Sequence, residues 1–264
     1  MGISVRDIRA YKERGEKFPM LTAYDAPMAR LLDEAGIPIL LVGDSVGNNV
    51  LGYAETVPVT MEQMLHHAAA VVRGVENALV VGDMPFMSYQ ASLAEGMRNA
   101  GRFLKEAGTT AVKMEGGARV LELVHHMTEA GIPVMGHLGH TPQSVNQFGG
   151  HRVRGRDAEQ AQKILQDAKD LQSAGAFAVV LEAVPAELAG EVTAALDVPT
   201  IGIGAGPDCD GQVLVLHDML GINPRTPKFV KRYADLGTEI GGAAKSFAED
   251  VATGRYPADE HTYH

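Results

Sequence analysis

Six polar side chains in this sequence are placed where a reaction could be carried out: Asp44, Asp83, Lys113, Glu115, His137 and Glu182. They lie at the ends of five short apolar runs, Ile39–Asp44, Ala78–Asp83, Ala111–Glu115, Val134–His137 and Phe177–Glu182, with Lys113 and Glu115 sharing the third. Read alone, a residue such as Asp44 serves equally well as a helix cap or the opening of a turn. Polar groups at the ends of five consecutive strands are different, because clustering them is costly unless a metal or substrate compensates. Lys113 and Glu115 are two apart, so their side chains share one strand face. Four carboxylates against one lysine and one histidine leave excess negative charge, which points to a bound divalent cation. With oxygen ligands and no cysteine beside them, magnesium or a similar hard ion fits better than structural zinc. Asp44 and Asp83, on adjacent strands, are the natural direct pair, and Glu115 is either a third ligand or binds through a water. The plainer alternative is a metal-free ion-pair network around Lys113, in which carboxylates would outnumber cations.

Positioning those residues requires strands alternating with helices. Phe18–Tyr24 reads as a first strand and Thr200–Ile203 as a seventh. Helices are expected over Ser4–Arg14, Ala26–Ala35, Thr60–Arg73, Ser92–Ala107, Ala118–Ala130, Ala158–Ala174, Ala186–Leu196 and Leu236–Ala252. Ser4 with Asp7, Thr60 with Gln63, and Ser92 with Glu95 have capping-box spacing. Asp25 and Pro27 mark a helix start, and Gly36, Gly108, Gly131 and Gly175 mark helix ends. Such alternation implies a parallel sheet covered on both faces. Gly211–Leu220, with Val213-Leu214-Val215-Leu216, could pass for a strand. A parallel crossover usually takes a dozen or so residues, however, so Asp210–Leu220 reads as a short buried helix and Phe229–Tyr233 as strand eight. The last helix then closes the barrel. The expected architecture is α/β, a (β/α)8 TIM barrel with a short N-terminal helix, as one domain over residues 1–264.

Two connections exceed what a scaffold needs, Val46–Val59 and Gly139–Asp157. The second holds Thr141-Pro142-Gln143-Ser144 and Phe148-Gly149-Gly150-His151-Arg152. Both follow strand C-termini, the face on which barrel active sites lie, so both are read as active-site loops.

The 264 residues are 45% apolar and 21% charged, as in a globular enzyme. A formal charge of −10 disfavours nucleic acid, and Arg152, Arg154 and Arg156 form the densest basic patch. One cysteine, Cys209, excludes an internal disulfide and fits a reducing cytoplasm. Neither a membrane-length apolar stretch nor a signal-peptide core is seen. Ile201-Gly202-Ile203-Gly204-Ala205-Gly206 lacks the residues of a phosphate loop and reads as close backbone approach or a tight turn. His66-His67 and His125-His126 are read as surface or interface residues, and the tail Asp259–His264 as a solvated or docked terminus.

Several segments together resemble the ketopantoate hydroxymethyltransferase family. They are Leu21-Thr22-Ala23-Tyr24-Asp25, Val42-Gly43-Asp44-Ser45, Asp83-Met84-Pro85-Phe86 and Val112-Lys113-Met114-Glu115-Gly116-Gly117. Gly136-His137-Leu138-Gly139, Thr141-Pro142-Gln143-Ser144, the glycine-rich 201–206 and the ending from Tyr256-Pro257 complete the set. The resemblance implies transfer of a hydroxymethyl group from 5,10-methylenetetrahydrofolate to 3-methyl-2-oxobutanoate. The product is 2-dehydropantoate, on the route to pantothenate and coenzyme A, and the partners are small molecules, with no membrane. It implies that Asp44 and Asp83 hold Mg2+ and Glu115 completes its environment, the metal acting as a Lewis acid on the enolate. It further implies that Ser45, by hydroxyl or backbone N–H, and Lys113 engage the substrate carboxylate. Glu182 would be the general base, its pKa raised by burial among carboxylates, and His137 would assist proton transfer or contact the donor. A homodecamer of two stacked pentamers in the cytoplasm is implied as well.

Three other readings compete. A metal-dependent 2-oxo acid lyase or mutase of the isocitrate lyase/phosphoenolpyruvate mutase type would share the barrel and the carboxylates. The lone Cys209 follows the glycine-rich segment, away from where a catalytic loop cysteine is expected. A Schiff-base aldolase would use Lys113. A non-catalytic barrel would bind a metal or small acid for regulation or scaffolding, which uses six aligned polar groups poorly.

Overall fold

The computed structural model describes residues 2–150 and 152–264. His151 of the second long loop lies outside the described residues. The chain forms two compact units, Met1–Leu214 and Val215–His264.

In the first unit eight parallel strands close into a barrel in sequence order. They are β1 (Phe18–Thr22), β2 (Ile39–Val42), β3 (Leu79–Asp83), β4 (Ala111–Glu115), β5 (Val134–Gly139), β6 (Ala178–Glu182), β7 (Thr200–Ile203) and β8 (Gly211–Leu214). The helices of this unit are α1 (Val5–Glu13), α2 (Ala26–Glu34), α3 (Val46–Asn49), α4 (Met61–Gly74), α5 (Leu93–Arg102), α6 (Leu121–Glu129), α7 (Val145–Phe148), α8 (Ala158–Ser173) and α9 (Ala186–Ala195). The caps fall where the spacing places them. Ser4 with Asp7 and Thr60 with Gln63 form reciprocal capping boxes, and the Asp25 carboxylate accepts the Met28 N–H at 2.8 Å. Ser92 caps α5 by accepting the Glu95 N–H, and a π-helical turn, Phe103–Ala107, continues that helix.

Alternation along the strands sorts side chains into two cores. Leu40, Val80, Val112, Val134, Val179 and Leu181 point out against the helices. Met20, Ile39, Leu41, Leu79, Val81, Met135, Val180, Ile201 and Val213 fill the interior, where Ile8 of α1 joins them, fully buried. Burying each such side chain stabilises the fold by about 1.5–3 kcal/mol. The lower layers of the barrel are therefore apolar and solid, which leaves the C-terminal ends of the strands for polar groups.

Strand eight is not at Phe229–Tyr233. Those residues are non-strand, with Phe229 and Tyr233 exposed. The apolar run after Asp210 supplies β8 at Gly211–Leu214, paired with β7 and β1, and only Leu216–Met219 of that run is helical. The crossover rule misleads here because β7 has only four residues. A strand that short is about 13 Å long, and the seven residues 204–210 can extend across roughly 25 Å without a helix. The glycine-rich segment makes this turn, with Gly204 and Gly206 at φ 62° and 80°. Closure is made by the β1–β8 ladder and not by a last helix.

The second unit contains α10 (Leu216–Met219), an irregular stretch and α11 (Leu236–Ala252). Every residue of α11 is at least partly exposed, including Ile240, Phe247 and Val251. The tail packs back locally, the Tyr256 ring lying 5.4 Å from Phe247 and 5.1 Å from His261. No helix among the described residues is long and apolar enough to cross a membrane.

Candidate active site

The alternation that fills the barrel with Val81, Ala111, Met135 and Val180 brings Asp83, Lys113, Glu115, His137 and Glu182 to the same inner face one layer higher. Register decides who meets whom. Asp83 lies opposite Lys113 and Glu115 opposite His137 in the ladders. The Lys113 ammonium donates to Asp83 Oδ1 at 2.6 Å. The His137 ring stands between two carboxylates, Nδ1 3.4 Å from Glu115 Oε1 and Nε2 3.3 Å from Glu182 Oε2. Neither contact has hydrogen-bond alignment, so Glu115 Oε1 and both ring nitrogens lack a hydrogen-bond partner among the described residues.

Asp44 follows β2 just past Gly43, and its backbone N–H donates to Asp83 Oδ2 at 3.2 Å. Gly43 is needed for room, since a Cβ there would meet the Ser45 hydroxyl oxygen at 2.7 Å. That hydroxyl is hydrogen-bonded to the Tyr24 hydroxyl at 2.9 Å. Gly139 performs a similar service for the base candidate. It has φ 95°, and a Cβ would stand 2.2 Å from the Glu182 carbonyl oxygen. All six sequence-selected residues and Ser45 thus lie at one end of the barrel. Glu182 is the most open of the six, its side chain 20% exposed against 2–4% for Asp83, Lys113, Glu115 and His137.

The electrostatics follow from burial and crowding. Burial and the charges of Asp83 and Glu115 push the Asp44 carboxyl up to about 8, against the pull of Lys113 and the Gln143 amide. Asp83 is also raised by burial, with Lys113 opposing. Burial works against the Lys113 ammonium, but the three carboxylates around it prevail and raise its pKa. Burial and Lys113 disfavour the His137 imidazolium, yet Glu115 and Glu182 outweigh them and raise it to about 9. Glu115 is held below the usual range because His137, Lys113 and the Gln143 N–H overcome its burial.

Both Asp44 and His137 have folded-state values above their ordinary ones of 3.8 and 6.5. Their protonation therefore favours the fold, fully below those ordinary values and progressively less as pH rises through about 8 and 9. Metal-free protein is expected to lose thermal stability between pH 6.5 and 9, read as a falling unfolding midpoint. A flat midpoint across that range would contradict this electrostatic account.

The donor set suits a hard divalent ion. Two buried carboxylates with raised pKa values, Asp44 and Asp83, lie side by side, and a buried carboxylate oxygen of Glu115 has no hydrogen-bond donor. Among the described residues no three His, Cys, Asp or Glu side chains are already drawn together as a ligand set. A hard divalent ion on such a set would be held by one or two carboxylates, with water and substrate oxygens completing the shell.

The sequence model of the family described as Ketopantoate hydroxymethyltransferase matches residues 2–259. The chain belongs to the ketopantoate hydroxymethyltransferase family. It is an enzyme of the one-carbon transferase class to which that family's named members belong. The 3-methyl-2-oxobutanoate hydroxymethyltransferase of Streptomyces coelicolor is 61% identical, over 99% of this chain and 90% of its own. That of Syntrophus aciditrophicus is 60% identical, over 99% of this chain and 96% of its own. Among solved structures, 2,3-dimethylmalate lyase, a PEP mutase/isocitrate lyase superfamily member, superposes with a TM-score of 0.63 at 16% identity, covering 100% of this chain and 92% of that one. At that identity the likeness shows a shared fold.

Two site residues of this family member escaped sequence reasoning. Gln143, 5% exposed, donates from its side chain to Asp44 Oδ2 and from its backbone to Glu115 Oε2. Tyr89 donates its hydroxyl to Gln143 Oε1 and accepts the Glu115 N–H. The signals for Gln143 were its place in a long loop after β5 and in the Thr141-Pro142-Gln143-Ser144 segment of the family resemblance, neither of which assigned it a role. Nothing in the pattern marks Tyr89.

The remaining candidates lie elsewhere. Cys209 is fully buried, and burial pushes its thiol up, so it is no mobile-loop nucleophile. His66, His125 and His126 are exposed, while His67 bonds the Tyr24 carbonyl at 2.7 Å. Arg154 stacks on the Phe148 ring at 4.4 Å. A cleft of about 310 Å³ at the opposite end of the barrel is lined by Arg6, Arg9, Thr128, Ile132 and Phe177, and it holds none of the selected residues.

Proposed function

We propose that this chain transfers a hydroxymethyl group from 5,10-methylenetetrahydrofolate to 3-methyl-2-oxobutanoate, giving 2-dehydropantoate. The observation that carries the reading is the polar layer itself: paired aspartates, a buried ammonium, and a glutamate beside an imidazole, in a chain of this family. Asp44 and Asp83 would hold Mg2+, with Glu115 beside them directly or through water. When bound, that ion supplies Lewis acidity to the keto and carboxylate oxygens of the oxo acid, easing the charge of the enolate.

The chain's own residues supply the rest. Lys113 has two N–H donors left after Asp83 and directs them, with Ser45, at the substrate carboxylate. Glu182, the exposed member, takes the proton from C3. The C3–H electron pair enters the C2–C3 bond, and C3 then bonds to the donor's methylene carbon as the first of its two carbon–nitrogen bonds breaks. Cleavage of the second carbon–nitrogen bond, with water supplying the hydroxyl and the released nitrogens taking up protons, frees tetrahydrofolate. His137, 3.3 Å from Glu182, receives or returns a proton as Glu182 cycles.

A Schiff base at Lys113 is disfavoured because three carboxylates keep it as the ammonium. Incubation with both substrates should yield 2-dehydropantoate, and borohydride with the oxo acid should trap no adduct. A reduced adduct at Lys113 would replace this mechanism with the imine one.

Assembly as a homodecamer of two stacked pentamers in the cytoplasm belongs to the same proposal. The exposed apolar side chains Ile240, Phe247 and Val251 of α11 support self-association, and the single cysteine suits a reducing compartment.

A further inference from the structure

We propose that Gln143, braced by Tyr89, is a positioning residue that fixes which oxygens of Asp44 and Glu115 remain free to ligate the metal. The inference rests on the metal-assisted reading above. Gln143 comes from the turn Pro142–Ser144 after β5, yet it bonds groups at the ends of three other strands. Its Nε2 donates to Asp44 Oδ2 and to the Met84 carbonyl, both at 2.9 Å. Its Oε1 accepts from the Tyr89 hydroxyl at 2.8 Å and from Gln90 Nε2 at 3.1 Å. An amide has two donor and two acceptor positions, and here all four are used. Flipping it would set oxygen against oxygen at Asp44 and Met84, so its orientation is determined.

The backbone N–H of Gln143 donates to Glu115 Oε2 at 3.1 Å. One residue therefore bonds a single oxygen on each of two carboxylates. Among the described residues no hydrogen bond is made to Asp44 Oδ1, and Glu115 Oε1 faces only the His137 ring, Nδ1 lying 3.4 Å away without hydrogen-bond alignment. Tyr89 links the two halves, since its hydroxyl also accepts the Glu115 N–H at 3.1 Å. A ligand oxygen held in place before the ion arrives needs no ordering afterwards, and losing such support commonly costs about 10–100-fold in metal affinity.

The test is calorimetric titration of magnesium chloride into the full chain, comparing wild type, Gln143→Leu and Tyr89→Phe, with unfolding midpoints measured alongside. Gln143→Leu keeps the backbone N–H to Glu115 and removes only the amide. Its magnesium Kd is expected to rise about 10–100-fold, and that of Tyr89→Phe by a smaller factor. A residue with a merely structural role would lower the unfolding midpoint and leave Kd unchanged. Unchanged Kd in both variants, with wild type binding normally, overturns this inference alone. Failure of wild type to bind magnesium overturns the metal reading and this inference with it. If Gln143→Leu does not fold, Tyr89→Phe decides, and an unaltered Kd there overturns the proposal.

Discussion

Glu182→Gln is expected to abolish exchange of the substrate's C3 proton with solvent while the oxo acid still binds. The carboxylate is the one member of the polar layer with substantial exposure, and it lies 3.3 Å from the His137 imidazole. The amide is nearly the same size, so Lys113, Ser45 and the aspartates keep their places. It has no basic oxygen to take a proton, and loss of a positioned general base typically costs about 10²–10⁴-fold. Proton exchange in deuterated water isolates this step from the folate half of the reaction. Normal exchange in the variant, with the oxo acid bound, would remove Glu182 from the role of base.

Chelation is expected to have an effect of similar size on turnover. Asp44 and Asp83 are neighbours in a buried site where the nearest cation, Lys113, pairs with only one of them. Without a divalent ion, the enolate's charge would develop among carboxylates whose own pKa values burial has already raised. Lewis-acid stabilisation is worth several kcal/mol, so prolonged treatment with EDTA should lower turnover at least about a hundredfold, and added magnesium should restore it. The pH dependence of stability should respond as well, since the ion removes the reason for Asp44 to hold a proton.

The polar layer was legible in the sequence because strands repeat every two residues. Once Val81 and Ala111 point inward, Asp83 and Lys113 must follow one layer up and Glu115 one further. Helix starts were legible for a similarly local reason, the cap geometry at Ser4, Asp25 and Thr60 being set within four residues. Strand eight was not legible, because Val213-Leu214-Val215-Leu216 is apolar at every position and carries neither period. Its pairing with β1 is a long-range fact that four residues cannot announce. Gln143 and Tyr89 escaped because they act from loops, where no period exists and the fold alone brings position 143 to position 44. The expected crowding of Glu182 among carboxylates was also incomplete, since register places His137 between it and Glu115.

In the proposed reaction, a divalent ion on the Asp44–Asp83 pair lets Glu182 remove the C3 proton. Proton NMR of 3-methyl-2-oxobutanoate in deuterated water, with the wild-type chain and no folate, tests it most directly. The C3 proton signal is expected to disappear when magnesium is present and to persist after thorough chelation. Exchange that continues undiminished in the chelated enzyme would contradict it.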